Sequence, residues 1–393
     1  MTDSEPSGRL PDIRAARDLF PATAGCAFFN TAAVGLASRR LADAYRGLVD
    51  EWLSVGFDYV RGEQVANEAR SAVARLIGTD TADVALIPSV SSAAGLVAAQ
   101  FGPAEAGENV VIGELEYSSN HFPWRQLARK GYDVRQVPFR NGGVQPEDVA
   151  NRLDSRTGLV AFSAVQAATG HRSDVAAISR VGRAVGAVVF VDGSQMVGAL
   201  PVADLLPDLD VMALPDHKFL LNAGRGMGYC YLSPTVQEWF TPLNAGWRAG
   251  RAPLESFFGP TMDLSPTASR FDSSISWMAA VGNVASLAVF DEFGPDRIYA
   301  LHDCQRSTRG SRGRSTSRST GFAGSDLFGT EREPAHHNPL LQPRERHCAA
   351  CRCVEVREMN VAAGHRPRSS RMLAAANMRL LADATTYRWR GPT

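Results

Sequence analysis

The chain has 393 residues, of which 45% are hydrophobic and 21% are charged, and its formal net charge is zero. These values are ordinary for a folded globular protein of about two domains. The balanced charge gives no reason to expect nucleic acid or an acidic membrane as a partner. No apolar run reaches the length of a membrane span and the polar N-terminus has no apolar signal core, so a cytoplasmic protein is expected.

Short apolar runs alternate with helical patterns from about residue 15 to 300. In chain order, the predicted elements are a strand at 83–88, a helix at 91–101, a strand at 108–116, a helix at 124–132, strands at 133–139 and 157–166, a helix at 174–186, and strands at 187–192 and 209–214. Continuous apolar strands joined by helices indicate a mostly parallel sheet with helices on both faces. The predicted fold class is therefore α/β.

The composition changes near Arg306, where the chain becomes rich in Arg, Ser and Gly and loses any helical or strand period. Two interpretations stay open, namely a disordered tail and the product of a shifted reading frame. The predicted organisation is an N-terminal arm at 1–20, a large α/β domain at 21–290, and a C-terminal region at 291–393 that is poorly ordered or frame-shifted.

Two side chains at strand ends are the strongest candidates for chemistry. Asp192 ends the strand 187–192, and Lys218 comes shortly after the next apolar run. Ligands of open α/β sheets bind beyond the carboxyl ends of the strands, so both groups should face one crevice. The chain has one other lysine, Lys130, which ends a predicted helix, an ordinary surface position for a cation. An amine and a carboxylate in one crevice suit pyridoxal 5′-phosphate (PLP): the amine forms a Schiff base and the carboxylate keeps the ring nitrogen protonated.

A phosphate site is predicted where the strand 83–88 leads into a helix. Ser91 and Ser92 open that helix, and a helix N-terminus offers free amides and a positive dipole end to a phosphate. Serine is also a common capping residue, so a plain cap is the simpler interpretation of these two residues taken alone.

The central motif of the chain resembles the signature of class V aminotransferases. It consists of Asp-Gly-Ser-Gln at 192–195, His217-Lys218, and Gly-Met-Gly at 226–228. This fold-type I PLP group includes cysteine desulfurases, isopenicillin N epimerase-like proteins and ergothioneine-type C–S lyases. The resemblance runs from about residue 28 to 298. It implies a PLP-dependent fold of type I whose small C-terminal domain is degraded or missing here, since nothing matches it after about residue 305.

The resemblance also implies a role for individual residues. Lys218 matches the Schiff-base lysine and Asp192 the partner of the ring nitrogen. The other implied cofactor contacts are Ser91 and Ser92 at the phosphate, Gln166 at the ring hydroxyl, Gln195 near the phenolic oxygen or phosphate, and His217 beside the lysine. Several relatives stack a histidine on the ring at the position of Ser118, which leaves the stacking partner open in this chain.

Candidates for substrate binding are less well defined. The family's C-terminal domain usually supplies an arginine for the substrate carboxylate, which a guanidinium binds bidentately. Asn120, Arg248 and Arg270 lie in segments that resemble the family, and Arg225 lies near Lys218 in the chain.

The expected function is PLP-dependent chemistry on an amino acid, by transamination, epimerisation or C–S cleavage, in a homodimer. The alternative is an inactive remnant that retains the fold but lacks the domain that holds the substrate carboxylate. A dinucleotide-binding dehydrogenase is discounted because no G-x-G-x-x-G follows the first strand.

Clustered cysteines in the C-terminal region allow two further hypotheses. His347, Cys348, Cys351 and Cys353 could include a desulfurase nucleophile or ligands of a zinc ion. They lack the sequence context of either site, so the expectation is that they have no function and that the protein holds no metal.

Overall fold

The fold is built on one seven-stranded sheet, seen in a computed structural model that describes residues 13–222, 224–259 and 261–300. The strands are β1 (Val84–Ile87), β2 (Asn109–Gly113), β3 (Asp133–Val137), β4 (Thr157–Ser163), β5 (Val188–Asp192), β6 (Val211–Pro215) and β7 (Gly228–Leu232). Their order is β1-β7-β6-β5-β4-β2-β3. Only β7 runs against its neighbours, so the predicted mostly parallel α/β sheet is confirmed.

Helices cover both faces of this sheet. They are α1 (Arg39–Val55), α2 (Tyr59–Ile77), α3 (Val90–Ala99), α4 (Phe122–Arg125), α5 (Pro146–Ala150), α6 (Val175–Ala184), α7 (Pro234–Trp239) and α8 (Trp277–Phe293). Adjacent residues of a strand point to opposite faces, and β5 shows the result. Val189 packs with Ile178 of α6 in one core cluster, whereas Phe190 packs with Trp124 of α4 in the other.

The strand predicted at 108–116 ends early, at Gly113, because two acidic side chains bond to neighbouring strands instead of continuing the ladder. Glu114 Oε1 accepts a hydrogen bond from the Phe139 amide at 2.7 Å, and Glu116 Oε1 accepts one from the Ser163 amide at 3.0 Å. The chain therefore leaves the sheet at the edge where the candidate chemistry was predicted.

The helix predicted at 124–132 forms as two short pieces, α4 and a 3₁₀ turn at Gln126–Lys130 that closes at Gly131 with φ of +98°. Lys130 occupies the predicted exposed position and donates to the Ala98 carbonyl at 3.2 Å. The helix predicted at 174–186 is confirmed as α6, and Asp174 caps it by accepting from the Ala177 amide at 3.0 Å.

The predicted domain boundary between residues 290 and 291 falls within α8, and the division of the chain remains a prediction. The tail from Arg306 and its cysteines lies outside the described residues. Among the helices in the described part of the chain, none combines the length and apolarity that crossing a membrane requires.

Candidate active site

A pocket lies at the carboxyl ends of the central parallel strands. Asp192 is the last residue of β5 and pairs in register with Ser163 of β4, while β6 leads at Pro215 into the segment that carries Lys218. The structure brings Asp192 and Lys218 together in the wall of this pocket. Other residues that line it are Ser89, Tyr117, Ser119, Ser194, His217 and Arg225.

Burial shapes the titration of both groups. Asp192 is 4% exposed, and this burial raises the pKa of its carboxyl, although hydrogen bonds from Ser194 and the charge of Lys218 oppose the rise. Burial lowers the pKa of the Lys218 amine; Asp192 opposes this shift and Arg225 adds to it. The site therefore favours the neutral, nucleophilic form of the amine more than water does.

A buried carboxylate anchors the segment that carries Lys218. Asp216 is fully buried and accepts hydrogen bonds from Asn222 Nδ2 at 2.8 Å and from Asn283 Nδ2, on α8, at 3.2 Å. His217 Nδ1 lies 3.3 Å from the same carboxylate. Asp216 thus joins the segment that carries Lys218 to α8 through hydrogen bonds.

Two glycines allow the backbone around Lys218 to pack closely. The Gly35 amide donates to the His217 carbonyl at 2.9 Å, and a Cβ at position 35 would lie 2.5 Å from the Lys218 carbonyl oxygen. At Gly198, where φ is +91°, a Cβ would lie 2.5 Å from the Phe219 oxygen. Larger residues at either position would push the lysine segment out of place.

Tyr117 is a pocket residue that the sequence did not reveal. Its ring centroid lies 5.5 Å from Lys218 Nζ, whereas Ser118, the position first considered for a stacking side chain, is exposed and does not line the pocket. The only sign of this residue in the sequence was an aromatic side chain one position before Ser118. It was missed because the irregular stretch after β2 has no period that shows which side chains point inward.

The first turn of α3 forms another wall of the pocket. Ser89 caps the helix by accepting from the Ser92 amide, and its hydroxyl lies 2.9 Å from those of both Ser91 and Ser92. Ser89 and Val90 line the pocket, whereas Ser91 is exposed. The hydroxyls and free amides of this turn can bind an anion. The candidate phosphate site therefore begins at Ser89, two residues before the predicted Ser91.

Three further predicted cofactor contacts occupy different positions. His217 lines the pocket. Gln166 and Gln195 do not: Gln166 Nε2 donates to the Leu115 carbonyl at 2.9 Å, and Gln195 Nε2 donates to the Ala32 carbonyl at 3.1 Å. The Oε1 atom of Gln195 is buried without a hydrogen-bond partner among the described residues, so this side chain retains one unused acceptor.

The predicted substrate residues are not brought to the pocket. Asn120 is fully buried and bonds Trp124 Nε1 at 3.0 Å. Arg248 is buried and pairs with Glu63 at 3.2 Å. Arg270 stacks over the ring of Phe271 at 5.2 Å. The arginine that does line the pocket is Arg225.

These residues fit PLP. The pocket supplies a half-buried amine at Lys218, a buried carboxylate at Asp192, an aromatic ring at Tyr117, and a helix N-terminus at Ser89. In that order, these groups suit the aldehyde, the ring nitrogen, the flat aromatic face and the phosphate of PLP.

Comparison with known proteins gives the family. Residues 58–303 match the profile of the aminotransferase class-V family. Curated relatives include a probable cysteine desulfurase of Methanothermobacter thermautotrophicus, 33% identical over 48% of this chain and 46% of the relative. Another is a cysteine desulfurase of Dickeya dadantii, 30% identical over 61% of this chain and 58% of the relative. The chain thus spans about half the length of these curated relatives.

Solved structures share the fold. A variant of the cystine C–S lyase with glycine covalently linked to its PLP cofactor superposes with a TM-score of 0.67, at 23% identity over 77% of this chain and 80% of that one. A cysteine desulfurase of Escherichia coli gives a TM-score of 0.64, at 20% identity over 77% of each chain. The architecture is therefore the PLP-dependent fold of type I.

Fold and pocket together define a fold-type I α/β protein with an amine–carboxylate pocket at the strand ends. The chain belongs to the aminotransferase class-V family. Membership confirms the family resemblance seen in the sequence and, at the level of the family, confirms PLP as the cofactor.

Proposed function

We propose that the protein is a PLP-dependent lyase that cleaves the Cβ–S bond of a cysteine-derived amino acid, with Lys218 as the residue that holds the cofactor. The observation that carries the proposal is the placement of Lys218 and Asp192 in one pocket at neighbouring strand ends. The desulfurase names of the curated relatives support a sulfur-containing amino acid as the substrate class.

Lys218 has two tasks in this proposal. PLP, when bound, supplies an electron-accepting ring that stabilises negative charge at the Cα atom of an attached amino acid. The Lys218 amine must be unprotonated to bind the cofactor covalently, and burial lowers its pKa in that direction. With an amino acid held on the cofactor, the Lys218 amine would be placed to take the proton from Cα.

Asp192 and Tyr117 orient and tune the cofactor. A buried carboxylate is costly without a partner cation, and a protonated ring nitrogen would supply one. Asp192 would therefore keep that nitrogen protonated. Tyr117 offers an aromatic face within the pocket for contact with a planar ring. Ser89, with the amides that open α3, would receive the phosphate.

Neither of the two cysteines in the described part of the chain is placed to act as a desulfurase nucleophile. Cys230 is buried in β7, and burial raises the pKa of its thiol to about 12. Cys26 bonds the Ala22 carbonyl, and neither residue lines the Lys218 pocket. Elimination needs no protein thiol: an S-substituted cysteine and water give a free thiol, pyruvate and ammonium.

The first test of this function compares Lys218→Ala with Lys130→Ala, the two lysines of the chain. Wild type and Lys130→Ala should show a cofactor absorbance near ~410–430 nm, and borohydride should fix PLP on the peptide that contains Lys218. Lys218→Ala should lose both signals. If the Lys218→Ala protein retains a borohydride-fixed adduct, or wild type never forms one, the proposed role of Lys218 is wrong.

The products then identify the reaction. Incubation with S-substituted cysteines should release thiol and pyruvate in equal amounts. With cysteine itself as the substrate, alanine and persulfide would indicate desulfuration. With any of these amino acids, a sulfur-containing 2-oxo acid would indicate transamination, and a racemised substrate would indicate epimerisation. A cofactor-loaded protein that gives none of these products would support the inactive-remnant alternative.

A further inference from the structure

Arg225 is a cation in the Lys218 pocket that has no assigned task. It lines the pocket together with Lys218, Tyr117 and Ser89. Within residues 13–222, 224–259 and 261–300, no hydrogen bond or ion pair engages its guanidinium. The two buried arginines in that part of the chain, by contrast, pair with carboxylates, Arg248 with Glu63 and Arg70 with Asp272.

The backbone holds Arg225 in place through the glycines on either side. At Gly224 a Cβ would lie 3.0 Å from the Tyr45 hydroxyl, and Gly226 has φ of +111° and accepts from the Ser276 amide at 3.1 Å. The close approach at Gly224 places this turn against α1, and the hydrogen bond at Gly226 joins it to Ser276, the N-cap of α8. The guanidinium is therefore presented to the pocket by a defined turn.

Arg225 lies close enough to Lys218 to affect it electrostatically, because its charge contributes to the lowered pKa of the Lys218 amine. The Arg225 guanidinium brings a positive charge to the pocket, and no ion pair joins it to Asp192, the buried carboxylate there. In an α-amino acid the carboxylate is one carbon away from the amine, which would take the place of the Lys218 amine in this pocket. An anion is thus expected where the structure has an unengaged guanidinium.

We propose that Arg225 binds the α-carboxylate of the amino-acid substrate. The inference rests on the proposed function and deepens it, since it assigns the carboxylate to the large domain. A guanidinium matches a carboxylate with two parallel hydrogen bonds. The competing anion is the cofactor phosphate, for which the first turn of α3 already provides the hydroxyl of Ser89 and free amides.

The test compares wild type, Arg225→Gln, Arg225→Lys and Arg129→Gln. Arg129 is an exposed arginine outside the pocket and serves as the matched control. PLP and pyridoxal, which lacks the phosphate, are titrated onto each apo-protein. The loaded proteins are then titrated with cysteine and with cysteamine, which lacks the carboxylate, and the change in cofactor absorbance gives each dissociation constant.

Arg225→Gln should bind PLP within about threefold of wild type and cysteine about 10- to 100-fold more weakly, with cysteamine unchanged. Arg225→Lys should fall between, because an ammonium is a point charge without the planar fork. Arg129→Gln should match wild type throughout.

Other outcomes overturn the inference in distinct ways. Weaker binding of PLP but not of pyridoxal would assign Arg225 to the phosphate. Equal losses for cysteine and cysteamine, or no loss for either, would show that it does not recognise the carboxylate. Wild type that binds no PLP would refute the proposed function and this inference with it.

Discussion

Glu116 is a buried acid whose carboxyl bonds to Ser163 at the end of β4. Its carboxyl accepts hydrogen bonds from Ser163 and from Asn120, and burial together with the charge of Asp192 raises its pKa to about 7, against the pull of those hydrogen bonds. An unfolded glutamate titrates near 4.5. Between about 4.5 and about 7 the folded chain therefore binds a proton that the unfolded chain has lost. The contribution of Glu116 to the free energy of unfolding falls across that interval as pH rises and is flat above it.

Glu116→Gln should remove this dependence, because glutamine resembles the protonated acid in shape. Relative to wild type, the variant should gain roughly 3 kcal/mol of stability on going from pH 5 to pH 8. Urea unfolding at several pH values measures the difference, with Glu238→Gln as the control at an exposed carboxylate on α7. Parallel stability curves for Glu116→Gln and wild type would show that Glu116 ionises normally.

Among individual residues, the sequence predicted the site residues that lie at strand ends. It did not predict the contacts that depend on how distant side chains pack together. Lys218 and Asp192 were identified because each follows an apolar strand, and the ends of parallel strands share one edge of the sheet. The sequence shows no partner for Arg248, because the residue it pairs with, Glu63, is 185 positions away and no local pattern indicates such a pair. Tyr117 lies in an irregular segment, where no period shows direction.

The elements are joined at the edge of the sheet by a buried ion pair. Arg70 of α2 bonds Asp272 through both terminal nitrogens, and each partner also bonds β1: Arg70 Nη1 donates to the Val84 carbonyl at 2.7 Å, and Asp272 Oδ1 accepts from the Leu86 amide at 2.8 Å. Both side chains are at most 5% exposed. Helix, strand and the segment before α8 therefore depend on two charges that neutralise each other.

Asp272→Asn should destabilise the protein by about 3–5 kcal/mol, because the Arg70 charge would remain buried without a counter-charge. Denaturant unfolding measures the loss. The matched control is Asp43→Asn, which breaks the exposed pair with Arg46 and should cost less than about 1 kcal/mol. Equal effects of the two substitutions would contradict the importance assigned to burial.

Among the elements, the sequence predicted the strands and helices that have strong periodicity, but it misplaced where some of them end. The apolar runs of β4, β5 and β6 gave the sheet, and Asp174 marked the start of α6. The strand β2 stopped short because Glu114 and Glu116 bond to the chain beside them, a tertiary effect. The strand β7 runs antiparallel to both β1 and β6, and strand propensity does not encode direction.

For the whole molecule, the homodimer remains a prediction. The C-terminal half of α1 exposes apolar side chains, with Trp52, Leu53 and Val55 at 52%, 82% and 79% exposure, and such surface is typical of a contact site. Light scattering behind gel filtration should give twice the 42.3 kDa of one chain. A mass equal to that of a single chain at micromolar concentration would contradict the prediction.

The anchoring of Asp216 has a consequence for biosynthesis. The amide of Asn283, on α8, is made 67 residues after the carboxylate that it holds, while Gly35, which packs on the lysine backbone, is made long before. A nascent chain can thus form most of the sheet before Asn283 is available to hold Asp216 and the segment that carries Lys218. Cofactor capture should consequently be a late event, after α8 has left the ribosome, and a chain stalled before that helix should emerge without the vitamin-derived group.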